Sequence, residues 1–149
     1  MSIRAALTQQ CKDYLQHRIQ RLKKSIQELE SDLEGETKSS AGDKYETSRE
    51  MMNAEINKLQ QQLQEFRKLE EVLAVASQRK VSENIQLGSI VTTNLANYFL
   101  AIPVGELKFQ TESYYGIGIN SPIGKLMLGK TKGDTVFFQQ QEIKIESVN

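Results

Sequence analysis

Apolar residues recur at alternating steps of four and three along two long stretches of this chain. Leu15, Ile19, Leu22, Ile26, Leu29 and Leu33 make the first stripe, and Met52, Ile56, Leu59, Leu63, Phe66 and Leu69 make the second. Such spacing puts one apolar seam on each of two helices. It predicts helices over about Ile3 to Leu33 and Lys44 to Ser77, with no proline in either. At 1.5 Å per residue each would be about 45–50 Å long. Two seams joined by a short connection predict an antiparallel coiled-coil hairpin over residues 1–79, with a tip near 34–44. The tip, Glu34-Gly35-Glu36-Thr37-Lys38-Ser39-Ser40-Ala41-Gly42-Asp43, is built from small residues that permit a reversal, with carboxylates among them. Asp43 with Glu46 three residues on fits a helix cap with a capping-box partner, and Ser40 is a competing cap.

The pattern changes near residue 80. Seven of the nine glycines and both prolines lie beyond it, among β-branched and aromatic residues. Short alternating runs predict strands at Ser89–Thr93, Tyr98–Ile102, Tyr114–Ile119, Thr135–Phe138 and Ile143–Val148. Between them, Ser121-Pro122 reads as an N-cap followed by a proline at the first helical position. Ile123, Leu126, Met127 and Leu128 then form a short apolar helix that Gly129 is placed to end. Lys132-Gly133-Asp134 reads as a turn. Residues 80–149 are thus expected to form a small α+β domain, too small for a large core of its own, against which the base of the hairpin packs.

Composition narrows the functional classes. Lys plus Arg total 19 and Asp plus Glu total 19, a net charge of zero. A free duplex-DNA binder carries a basic excess, so any nucleic-acid contact is expected through a protein partner. No apolar run reaches bilayer length and the N-terminus has no apolar signal core, which favours a soluble cytoplasmic protein, monomeric in expectation. The one cysteine, Cys11, falls on the apolar side of the first helix, where packing explains it. His17 is the only histidine. No Ser-His-Asp set, Cys/His cluster or phosphate-binding glycine loop is present, so no catalytic residues of its own are expected.

Two sequence blocks carry a resemblance. Ser121-Pro122-Ile123-Gly124-Lys125-Leu126-Met127-Leu128-Gly129-Lys130 followed by Lys132-Gly133-Asp134-Thr135-Val136 resembles the C-terminal signature of the Gre family of bacterial transcript-cleavage factors, close to SPIG-x-x-LLGK-x-x-GD-x-V. Leu87-Gly88-Ser89-Ile90-Val91 is similar to the opening strand of the same domain, and Lys44-Tyr45-Glu46-Thr47-Ser48-Arg49-Glu50 to the segment after the coiled-coil tip. The resemblance implies an FKBP-like C-terminal domain docked on the rim of the RNA polymerase secondary channel. It implies a hairpin passing down that channel, with nascent RNA met only indirectly. There the acidic tip helps hold a Mg²⁺ shared with the polymerase active centre, no metal being held by the factor alone. Polymerase then cleaves backtracked RNA by two-metal hydrolysis.

In this light Asp43, Glu46 and Glu36 are the tip residues that would assist polymerase, and Asn120, Ser121, Pro122 and Ile123 form the docking loop. Arg18, Arg21 and Lys24 are the basic residues that could face RNA. Each has a plainer explanation. Asp43 and Glu46 cap a helix, worth about 0.5–2 kcal/mol. Ser121, Pro122 and Ile123 serve as cap, first-turn proline and core anchor. The basic run is also what a solvated coiled-coil face looks like. The tip departs from the family as well. Alignment on Tyr45 and Arg49-Glu50 sets Lys38 and Ala41 where cleavage-active relatives carry the two acids of D-x-x-E, and Asn120 stands where aspartate is frequent. Two further classes stay open at this point: a peptidyl-prolyl isomerase, although tryptophan and an aromatic-lined proline pocket are not evident, and an interaction scaffold built on the seam.

Overall fold

The computed structural model describes residues 1–38 and 42–149, and side chains outside 36–45. The chain is α+β. Two long helices, α1 (Ile3–Lys38) and α2 (Gly42–Gln78), precede a six-stranded mixed sheet. The strands are β1 (Ile90–Thr93), β2 (Asn97–Leu100), β3 (Gly105–Phe109), β4 (Glu112–Ile117), β5 (Thr135–Phe138) and β6 (Gln141–Val148), with the short helix α3 (Pro122–Met127) between β4 and β5. Two compact units emerge: residues 1–14 with 69–149, and residues 15–68.

In the first unit the strand order is β3-β4-β2-β1-β6-β5. Every neighbouring pair is antiparallel except β2 with β4. One sheet face carries Val91, Leu100, Val136, Ile143 and Ile145, which pack with Ile85 and with Met127 of α3 into a continuous core. Cross-strand partners Ile90 and Phe99, and Leu107 and Tyr114, belong to the opposite face and are equally buried. The helix bases are tied to this unit by hydrogen bonds. The Arg4 guanidinium donates to the carbonyls of Arg79 and Gly88, at 2.5 and 2.7 Å. The Gln10 side-chain amide donates to the Lys108 carbonyl at 2.6 Å and accepts from the Lys108 N–H at 3.0 Å. Lys108 lies in edge strand β3, so Gln10 stands in for the missing strand neighbour and satisfies both backbone groups. Leu7, Cys11, Leu73 and Ala76 are buried at these helix bases.

Gly88 approaches the backbone of α2 closely. Its φ is +96°, and a Cβ placed there would run into the carbonyl oxygen of Ala76. Only glycine combines that backbone with that approach.

Strand β3 was not among the expected strands. Its sequence, Gly-Glu-Leu-Lys-Phe, alternates two charged residues with two apolar ones, as suits a sheet edge. The first helix also runs past its expected end at Leu33 to Lys38, taking Gly35 into the helix. The β5–β6 connection is a two-residue turn, Gln139-Gln140, with φ of +52° and +65°. This is the type I′ sign pattern, filled by side chains that disfavour it.

In the second unit, Leu15, Ile19, Ile26 and Ile56 of the expected seam are buried. Leu22, Leu29, Leu33, Met52, Leu59, Leu63 and Phe66 are half-buried. Two helices alone leave the flanks of such a seam open to water.

Candidate functional site

The loop entering α3 is the best-built of the sites expected from sequence. Ser121 is the N-cap, with φ −68° and ψ 157°. Its hydroxyl accepts from the Gly124 N–H at 3.1 Å and donates to the Gly118 carbonyl at 2.7 Å. The Ser121 N–H bonds the same carbonyl at 3.2 Å. The Ser121 side chain is therefore committed to holding the loop. Ile123 is half-buried against the core, while Asn120 and Pro122 are exposed. Of the four expected docking residues, these last two face outward and the other two fix them in place.

Of the apolar run, Met127 is in the core at 0% exposure and Ile123 packs against it half-buried. Leu126 and Leu128 are 39% and 38% exposed. Leu126 lies one turn after Pro122 and shares its helix face. Gly129, with φ +81°, ends α3 as expected and donates its N–H to Ile85 at 2.8 Å. Lys125, Lys130 and Lys132 are exposed around these leucines. Asp134 is engaged locally, its carboxylate accepting from the Thr131 N–H at 2.9 Å. The result is an exposed surface of proline, leucine and asparagine with lysines about it.

Of the tip residues, Glu36 falls in the last turn of α1 and Asp43 in the first turn of α2, with their side chains outside the described set, and the competing cap Ser40 lies outside the described residues. Glu46 is exposed near the start of α2, and Glu34 is exposed late in α1. Among the described residues no group of three or more His, Cys, Asp or Glu could hold a metal.

The basic residues Arg18, Arg21 and Lys24 are all exposed on α1. Arg18 and Arg21 line a cleft of about 290 Å³ together with Leu22 and Ser25 of α1 and Gln62 and Phe66 of α2. Lys24 is not part of it. Gln62 and Phe66 went unremarked in sequence because they come from the other helix and look like an ordinary surface residue and a seam residue.

Other candidates are inert or unassigned. Cys11 is fully buried, and burial pushes its thiol up to about 12. Tyr98 and Tyr115 form a tilted ring pair with centroids 6.4 Å apart, on adjacent strands. Burial, and then the nearby Tyr115, raise the Tyr98 phenol above its ordinary value. No helix among the described residues is long and apolar enough to cross a membrane. In comparisons with known proteins, the chain matches no family model and no curated sequence.

Proposed function

We propose that this chain is a Gre-like transcription regulator that binds RNA polymerase through its secondary channel. One observation carries the reading. The block from Ser121 to Val136 that resembles the family signature forms a capped helix, a glycine stop and a following strand, on a sheet domain that comes after two long helices. The six-stranded mixed sheet with α3 on one face supports an FKBP-like domain. The exposed Asn120, Pro122, Leu126 and Leu128 supply a docking surface for the channel rim, with Ser121 and Ile123 holding its shape. Two long helices side by side supply the antiparallel coiled coil that enters the channel.

What the protein does there depends on the tip. In the first form, Asp43 or Glu46 helps position the second Mg²⁺ of the polymerase, which then cleaves backtracked RNA. In the second, the protein occupies the channel without stimulating cleavage. The placement of Lys38 and Ala41 at the family's acidic positions favours this second form.

A pull-down with core RNA polymerase at modest salt tests docking, and failure to bind removes the proposal. Cleavage assays on stalled complexes then separate the two forms. Loss of stimulation in Asp43→Ala or Glu46→Ala supports the first. Cleavage unchanged by the wild-type chain supports the second.

A further inference from the structure

The cleft between α1 and α2 lies wholly within the unit of residues 15–68, and three of its properties point to one kind of ligand. The first is charge. α1 has no carboxylate between Asp13 and Glu28, a stretch that carries Arg18, Arg21, Lys23 and Lys24, and α2 has none between Glu55 and Glu65. Arg18 and Arg21 stand at i and i+3, a like-charge spacing that weakens a helix. Among the described residues Arg21 makes no ion pair.

The second is an apolar wall. Leu22 and Phe66 line the cleft and are half-buried, like most of the seam, so a leucine and an aromatic ring stay accessible beside the two arginines. The third is Gln62, whose amide offers two donors and an acceptor on the same wall.

Guanidinium groups bind phosphate, an aromatic side chain stacks with a nucleobase, and an amide reads a base edge. We infer that this cleft binds a single nucleoside phosphate. The phosphates lie toward Arg21 and Arg18, the base packs against Phe66, and Gln62 meets its edge. About 290 Å³ is at the small end for ligand sites and suits one nucleotide rather than a strand.

Isothermal titration calorimetry of the full chain tests this with four probes: ATP, GTP, inorganic tripolyphosphate and the RNA hexamer hexauridylate. Saturable one-site binding of ATP or GTP is expected, with Kd below about 1 mM and tripolyphosphate weaker by about tenfold or more, since stacking carries much of the affinity. Arg21→Ala and Phe66→Leu are each expected to weaken it about tenfold, with helical circular dichroism unchanged. Gln62→Ala, a polar position half-buried on the cleft wall, provides a variant that keeps the fold and is expected to lose about threefold or more. The inference is overturned by no saturable nucleotide binding, by tripolyphosphate binding as well as ATP and GTP, by variants that bind like wild type, or by binding confined to hexauridylate. Polymerase takes no part in the titration, so failure here leaves the proposed function standing.

Discussion

Gly88→Ala should damage this protein far more than Gly129→Ala, and the difference measures how tightly the sheet domain is seated on α2. Both glycines have positive φ, +96° and +81°. Any alanine there meets a backbone conformation that costs about 1–2 kcal/mol. At Gly129 nothing lies within 4 Å of an added Cβ, so that cost is the whole effect. At Gly88 the methyl group would collide with the Ala76 carbonyl, a backbone atom that cannot swing aside. Overpacking of this kind adds about 1–3 kcal/mol. Gly88 also donates to the Leu100 carbonyl at 2.6 Å and accepts from Arg4, so a backbone shift that relieves the clash strains both bonds. The expected loss at Gly88 is therefore about 2–5 kcal/mol, a large part of a typical total stability of about 5–15 kcal/mol. Urea unfolding followed by circular dichroism, with both variants and wild type at one temperature, gives the comparison. A Gly88→Ala cost equal to that of Gly129→Ala would refute the close approach.

Three further outcomes are expected. Thr8 is buried on α1 and, among the described residues, its hydroxyl has no hydrogen-bond partner. Thr8→Val should therefore raise stability by about 1 kcal/mol, and a loss of stability in the same urea assay would reveal a partner for that hydroxyl. Replacing Gln139-Gln140 with Asn-Gly should stabilise by about 1 kcal/mol, because both positions have positive φ, and a lowered melting temperature counts against the turn geometry. The Cys11 thiol, held near 12 by burial against an unfolded value near 9, is neutral in the fold and ionises more readily when unfolded. Its contribution is intact below about pH 9 and is lost as pH rises toward about 12, at up to about 1.4 kcal/mol per unit. Cys11→Ala should flatten that alkaline slope, whereas equal slopes in both proteins would show the thiol to be accessible.

Much of the architecture could be read from periodicity. The seam residues Ile19, Ile26 and Ile56 are buried, and Thr135–Phe138 is a strand with the expected bounds. The cap at Ser121 and the stop at Gly129 are local chemistry, and local chemistry is legible in one dimension. The features that escaped depend on partners distant in sequence. β3 is polar because it is an edge, and it becomes a strand through pairing with β4 and through Gln10 on its open side. Leu126 and Leu128 read as core in an apolar run, yet a six-residue helix has only one inward face, which Ile123 and Met127 take. The cleft joins Arg21 to Phe66 across two helices, a juxtaposition that no single stretch displays. Of the tip candidates, Glu36 was expected in the connection but falls in the last turn of α1, and Asp43 falls in the first turn of α2.

The most direct measurement replaces the catalytic Mg²⁺ of core RNA polymerase with Fe²⁺ and generates hydroxyl radicals there, with the full chain bound and labelled at one end. The proposed function predicts cuts in this protein confined to the region around residues 34–46, where both helices end. Cuts in residues 80–149, or none in a complex shown to be bound, would contradict it.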